Sequence, residues 1–475
     1  MSANRRPLVV DLDGSFLRTD SLVEMLVVFL RAKVFNTFLF VSWVMRGGRA
    51  QAKAEVAARV DLEWGGLPID PAVVEKIEQA RQAGRPIILA TAAPESAARS
   101  VADAHGLFDD VMSSSDTVNL KGAKKADALV ARFGARGFDY IGNDRNDLHV
   151  FSVAKEAYVV RPSAYLRKKA QQVNEQSRGL GDRESSARAW IRAIRPHQWA
   201  KNLLILIPAI GAEAFGRGSI IAVVVALVVF SIFASSVYLL NDVLDVHHDR
   251  QHPKKRHRPF ASGKLPLLAG FVMAGVLGAV SIAGAVVLLG FAFAAVLGFY
   301  AVLTVLYSTV LKRVVLVDVF VLAVLYGTRI LAGAVAVSVP LSPWLVGFSF
   351  FAFLSLALVK RYTELTSSHN GGEGAVSGRG YRSSDSPLIM LFGVASAFAA
   401  TVVLTLYIED PDTQNAFNEP LVLWMLAPVF LLWLSRVWIL SHRGQMDDDP
   451  VRFALTDKLS YLFLGAIVVA WVFAR

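Results

Sequence analysis

The sequence predicts an α/β, Rossmann-like domain carrying a helical insertion, followed by an all-α transmembrane bundle of nine helices, on three observations. Of 475 residues, 54% are hydrophobic and 19% charged, which excludes a disordered chain and disfavours an enzyme soluble throughout. Long apolar runs lie almost wholly beyond residue 190, whereas residues 1–190 alternate short apolar strands with helical stretches. The formal charge of +10 comes from Lys and Arg gathered in loops between apolar runs, a pattern of membrane orientation or anion binding rather than of nucleic-acid binding. Cysteine is absent, so disulfides, thiolate zinc sites and a cysteine nucleophile are excluded.

Element by element, residues 1–6 lead into only Leu8, Val9 and Val10 before Asp11-Leu12-Asp13, so no secretory signal is expected and the first domain begins in the cytosol. Strands are expected at 7–10, 86–90, 138–141 and 157–160, the rhythm of a doubly wound parallel sheet. The insertion at 16–80 holds apolar runs at 22–30 and 34–45, broken by Arg31 and Lys33; neither can span a bilayer, and they read as helices covering the soluble domain. The domain is bounded at 1–165, and 166–196 reads as a polar linker ending in an interfacial helix with Trp190, Ile191 and Ile194 on one face. The membrane domain occupies 197–475, with spans near 198–214, 218–240, 267–287, 291–309, 315–336, 342–360, 387–407, 420–440 and 456–474. Cations fill the connections at 250–264, 312–313, 360–382 and 443–458, while 408–420 is acidic. The positive-inside rule puts the soluble domain and the cationic loops in the cytoplasm of a bacterial-type inner membrane, with Arg475 outside.

Two acids, Asp11 and Asp13, follow the first strand directly, at the carboxyl edge where open α/β sheets bind ligands. In phosphoryl chemistry one carboxylate can attack phosphorus while its neighbour protonates the leaving alcohol and then activates water. Thr91 follows the second strand, Lys125 opens a helix, and Gly142-Asn143-Asp144-Arg145-Asn146-Asp147 follows the third. In this order the stretch resembles the haloacid dehalogenase superfamily over residues 7–165. The resemblance implies Asp11 as nucleophile, Asp13 as acid/base, Thr91 and Lys125 (with Lys121 its rival) as phosphate holders, and a magnesium site using Asp11, Asp13 and Asp147. It also puts a cap at 16–80. Asn143 stands where that family usually has Asp, so either Asn143 or Asp144 supplies the remaining ligand.

Asn241, Asp242, Asp245 and Asp249 recur at spacings of three and four at the cytoplasmic end of an apolar segment. On a helix they line one face, and clustered oxygen ligands suit magnesium held with substrate phosphates. Arg256 and Arg258 follow and could bind the outer oxygens of a diphosphate. His248 and His252 read as surface residues or phosphate donors rather than zinc ligands. The row N-D-x-x-D-x-x-x-D is similar to the first motif of the UbiA superfamily of intramembrane prenyltransferases, over residues 190–475.

That resemblance implies a nine-helix fold, a diphosphate-bearing donor, magnesium, a polyprenyl lipid and Asp242, Asp245 and Asp249 as metal ligands. Tyr307, Lys312 and Asp318 match the second motif, but the position four after Asp318 is Leu322 rather than Asp. With Lys201, Asn202 and the string Lys360-Arg361-Tyr362-Thr363-Glu364, the chain is similar to the decaprenyl-phosphate phosphoribosyltransferase branch. The expectation is a bifunctional enzyme that moves 5-phosphoribose from phosphoribosyl diphosphate to a polyprenyl phosphate and then removes the 5-phosphate. The alternative is prenylation of an aromatic ring, and a transporter is disfavoured because no paired repeat is found. Oligomeric state is left open.

Overall fold

The computed structural model describes residues 6–32, 36–114, 120–182, 186–367, 380–446 and 450–475. Val34 of the second expected insertion helix, and residues 368–379 of the 360–382 loop, lie outside the described residues. The chain packs as two compact units, Met1–Arg195 with Tyr238–Val276, and Pro196–Val237 with Leu277–Arg475.

The first unit is built on a parallel six-stranded sheet, β1 (Leu8–Val10), β2 (Ile87–Pro94), β3 (Asp110–Ser114), β4 (Asp139–Gly142), β5 (Ala157–Val160) and β6 (Ser177–Leu180), in the order β3-β2-β1-β4-β5-β6. Strands β1, β4 and β5 are buried at every position, as apolar runs covered by helices on both faces should be. Val9 pairs with Ile88 on one side and Tyr140 on the other. Chain order therefore reverses between β1 and β4, and the loops after both strands flank the topological switch point where such sheets hold ligands.

Strands β3 and β6 escaped the sequence reading because neither is an apolar run. β3 is half-buried throughout, and β6 reads Ser-Arg-Gly-Leu with its two central residues exposed. The stretch read as a polar linker is thereby corrected: it folds into the helix Ala164–Val173, capped by Ser163, and then into β6. In the insertion, Asp20 accepts from the amides of Leu22 and Val23 and so starts the helix Ser21–Ala32. The next helix, Asn36–Ala57, is interrupted at Gly48, whose φ of 73° only glycine adopts freely.

Also in the first unit, the helix Ser186–Ile194 places Trp190 edge-on to the buried Phe260. The acidic row departs from the expected single helix. The helix Arg217–Leu244 ends before Asp245, and a short helix Val246–Gln251 follows, although the Asp245 amide still donates to Asn241 and that of Asp249 to Asp245.

The second unit is helical. Among the described residues, seven helices are long and apolar enough to cross a membrane, from Arg217–Leu244 to Pro420–His442, and Lys458–Ala474 is a shorter apolar helix. The segment expected at 198–214 is a 3-10 helix, Pro196–Leu206, followed by Ile207–Gly211. Pro196 and Pro208 lack amide donors there. Nine long apolar helices are thus not reached among the described residues. Close packing uses small residues: a Cβ on Gly393 would fall 1.9 Å from the Trp438 ring, and Trp438 donates to Ser355 (3.0 Å), which donates to the Gly393 carbonyl (2.8 Å).

Candidate functional site

At the switch point of the sheet, β1 delivers Asp11, 8% exposed, into a buried polar cluster. Lys125 Nζ donates to Asp11 Oδ1 (2.6 Å) and to Tyr140 Oη (3.1 Å). Ser15 donates to the second oxygen of Asp11 (3.0 Å) and lies 3.1 Å from Asn143 Oδ1. Asp147 accepts from Tyr140 Oη (2.9 Å) and from the amides of Asn143 and Asp144 (2.9 and 3.0 Å), so it fixes the loop after β4. Asp13 accepts from the Ser21 amide (2.7 Å). Thr91, 1% exposed, accepts from the Ala93 amide. Gly14, at φ +75°, is forced by space as well as by conformation, since a Cβ there would lie 2.1 Å from the Asn143 amide.

The charges in this cluster press on one another. Burial, with Asp20 and Asp11 beside it, pushes the Asp13 carboxyl up to about 7. Burial and Asp11 push Asp147 up to about 6. Burial opposes the Lys125 charge, but Asp11 and Asp147 outweigh it and raise its pKa. Three acids and one lysine leave an unmet demand for positive charge that oxygen-binding magnesium fits. Among the described residues no three acidic or histidine groups converge at metal-binding distance, so a cation here would complete its shell with substrate oxygens. The Asp144 side chain is turned to the Arg145 amide and to Asn146, away from the cluster.

Also in the first unit, the carboxylates of the row are held by arginines. Arg195, at a left-handed φ of 57°, grips Asp242 through Nε (3.2 Å) and Nη2 (2.7 Å). Arg258 Nη1 bridges Asp242 (3.1 Å) and Asp249 (2.6 Å), and burial pushes Asp249 up. Two carboxylates meeting at one cationic nitrogen form a seat of the kind magnesium uses together with phosphates. Asn241 is half-buried, and Arg256 is exposed. Asp245 pairs instead with Arg31 (3.2 Å), which also meets His248.

The sequence reading missed Glu24. It is fully buried and accepts from Arg250 (2.7 and 3.0 Å) and Thr19 (2.6 Å), with His247 at 3.2 Å. Burial alone would raise its pKa, but the hydrogen bonds from His247 and Arg250 hold its carboxyl down at about 2. The insertion helix Ser21–Ala32 therefore starts beside Asp13 and ends at Asp245. Glu24 is an acid inside an otherwise apolar run, and that was the available signal.

In the second unit, Asp318 and Arg361 are both fully buried and paired, and Tyr381 donates to Asp318 while Arg361 also reaches Glu364. Tyr307, Lys312 and Lys360 are half-buried. Tyr362 does not join that pair and bonds His442 (2.8 Å). Asn202 is buried, donates to Ser231 (2.9 Å) and accepts from Arg329 Nε (3.0 Å). Arg329, also missed, is a buried cation among the rings of Phe230, Tyr300 and Tyr326, at 5.3 to 5.5 Å from their centroids. Lys201 lies 5.9 Å from the Tyr326 ring.

The family description "UbiA prenyltransferase family" matches residues 202–455, from Asn202 through the whole acidic row to beyond Arg361. The chain belongs to the UbiA prenyltransferase family. It is 35% identical over 468 residues to the uncharacterized protein y4nM of Sinorhizobium fredii, covering 98% of this chain and 90% of that one. It is 32% identical over 289 residues to the decaprenyl-phosphate phosphoribosyltransferase of Mycobacterium tuberculosis, covering 59% of this chain and 91% of that one. Among solved structures, a UbiA homologue from Archaeoglobus fulgidus bound to GPP and Mg2+ is 15% identical with a TM-score of 0.46, covering 59% of this chain and 99% of that one. As a UbiA family member with seven apolar helices, the chain is an integral membrane protein.

Proposed function

We propose that the protein is a bifunctional enzyme of the cytoplasmic membrane face. It transfers 5-phosphoribose from phosphoribosyl diphosphate to a polyprenyl phosphate, and its N-terminal domain hydrolyses the 5-phosphate of the product. The observation that carries the donor assignment is the state of the second motif. Asp318 is committed to Arg361 and Tyr381, and Leu322 stands where a second acidic row would continue. A single acidic row, together with similarity to a decaprenyl-phosphate phosphoribosyltransferase over nearly that protein's whole length, favours phosphoribosyl over prenyl transfer. Prenylation of an aromatic ring is the second reading, favoured by the family to which the chain belongs. The cationic loops support a cytoplasmic position for both activities, and the nine-helix arrangement is proposed with them.

In the transfer, the C1–oxygen bond to diphosphate breaks and an oxygen of the lipid phosphate bonds C1. Asp242, Asp245 and Asp249 would hold magnesium, which would supply positive charge to stabilise a departing diphosphate. Arg258, already between Asp242 and Asp249, and Arg256 are assigned to diphosphate oxygens, with Asn241 beside them. By charge and family position, Lys201, Lys312 and Lys360 are assigned to the lipid phosphate. Asn202, Tyr307, Asp318, Arg361, Tyr362 and Glu364 are assigned to shaping the substrate site.

In the hydrolysis, Asp11 attacks phosphorus and the P–O bond to the ribose breaks as Asp13 gives its proton to the alcohol. A carboxyl with a pKa near 7 can donate and then accept a proton at neutral pH. Asp13 next takes a proton from water, which attacks the aspartyl-phosphate and releases inorganic phosphate. Lys125 and Thr91 would hold the phosphoryl oxygens, and magnesium would be held by Asp11, Asp13, Asp147 and one of Asn143 or Asp144. Membranes given radiolabelled phosphoribosyl diphosphate and polyprenyl phosphate should label lipid, and Asp242→Asn should lose at least tenfold. Asp11→Asn should accumulate the 5-phosphorylated lipid; the same dephosphorylated product from parent and variant would end the hydrolytic assignment.

A further inference from the structure

Within the first unit, the chain that follows the helix Arg217–Leu244 is fastened to the insertion of the N-terminal domain at several points. Glu24, in the helix Ser21–Ala32, accepts from Arg250 Nη1 (3.0 Å) and Nη2 (2.7 Å). Arg31 of the same helix reaches Asp245 (3.2 Å), and Gln251 donates to Glu63 (3.3 Å). A Cβ on Gly263 would lie 2.6 Å from Arg18 Cβ and 3.0 Å from the Arg18 carbonyl oxygen, so the chain there rests directly on the segment leading into the insertion helix. These links differ in weight. The Glu24 and Arg250 side chains are 0% and 9% exposed, whereas those of Arg31 and Asp245 are 20% and 31% exposed. Exposed pairs contribute little, but a buried pair that loses one partner leaves an uncompensated charge. Glu24 therefore governs where Arg250 can stand.

Arg250 joins three pieces of chain. It belongs to the short helix Val246–Gln251, directly after Asp249. Its Nε donates to the Ala261 carbonyl (3.0 Å), three residues beyond Arg258, while its two terminal nitrogens go to Glu24. A planar guanidinium bound at all three nitrogens has a fixed orientation. Arg258 in turn bonds both Asp242 and Asp249. The separation between the helix bearing Asp249 and the turn bearing Arg258 is thus held by a side chain that Glu24 orients. We propose that Glu24 is a positioning residue of the transferase: acting through Arg250, it keeps Asp249 and Arg258 in place to receive the diphosphate of the donor. The N-terminal domain thereby gains a second function, as a scaffold for the acidic row, separate from any hydrolysis it performs. The inference rests on the transferase reading and adds to it a residue outside the family match at 202–455.

The test uses the full-length protein in lipid vesicles at saturating magnesium, with transfer measured from phosphoribosyl diphosphate to polyprenyl phosphate and with hydrogen exchange on the same preparations. Glu24→Gln keeps the size of the side chain but removes the charge that faces Arg250. It should raise the apparent KM for phosphoribosyl diphosphate at least fivefold and leave that for polyprenyl phosphate within twofold. Arg250→Met should do the same, and the double variant should be no worse than either single one, because both remove one link. Amides of residues 246–262 should exchange at least tenfold faster in Glu24→Gln, with those of β4 unchanged. A residue that only stabilises the fold would speed exchange in both segments and lower kcat with both KM values unmoved. That pattern, or an unchanged KM for the donor, overturns the inference while the transferase reading stands. Should Glu24→Gln fail to accumulate, Glu24→Asp and Arg250→Met carry the same readouts. Absence of transfer by the parent chain overturns the transferase reading and the positioning role with it.

Discussion

Two buried charges show most directly what single residues contribute. Glu24 is held at about 2 against 4.5 for an unperturbed glutamate. Its pKa is lower in the folded state, so its contribution is fully present above the unfolded value and is lost as pH falls from 4.5 through 2. A difference of this size corresponds to about 3 kcal/mol. Glu24→Gln should therefore flatten the loss of thermal stability of detergent-solubilised protein between pH 5 and pH 3, and an unchanged pH profile would contradict the assignment. Arg329 offers a second case, because its Nε supplies the carbonyl of Asn202 inside the bundle. Arg329→Met would keep the aromatic packing but leave that buried acceptor without its donor, at a cost of about 1–3 kcal/mol, read as a lower unfolding midpoint.

The helix Ser21–Ala32 carries more than its packing. Its first amide bonds Asp13, its first turn holds Glu24, and its last turn sends Arg31 to Asp245. An element begun at Asp13 thus ends on the acidic row at Asp245. Arg31 and Asp245 are each part-exposed, so the pair is weak, and it would compete with the proposed cation for the same carboxylate. Arg31→Ala should lower the magnesium concentration for half-maximal transferase activity by two- to threefold, measured in membranes; an unaltered or higher requirement would show that Arg31 does not compete there. The break at Asp245 matters here as well. A straight helix would put Asp242, Asp245 and Asp249 on one stripe, whereas the observed break pairs Asp242 and Asp249 at Arg258 and leaves Asp245 to Arg31.

For the molecule as a whole, joining the two proposed activities in one chain would raise the concentration of one site around the other's product. Asp11→Asn protein in one population of vesicles and Asp242→Asn protein in another should accumulate phosphorylated lipid, while the parent chain should not; rapid complementation between vesicles would show that tethering is dispensable. Much of this organisation is legible in the sequence. Apolar length marks the membrane helices, apolar runs mark the buried strands, and the spacings of Asp11 and Asp13 and of Asn241 to Asp249 mark both acidic sites, because these signals are local and set by backbone period. Strands β3 and β6 were not legible, since edge strands gain their stability from a neighbour rather than from their own apolar content. Nor were the partners of Glu24, Asp318 and Arg329, which come from far along the chain. The sequence by itself determined which residues could carry charge next to a membrane; only the tertiary structure decided which of those charges neutralise one another, because pairing depends on distances that chain order does not encode.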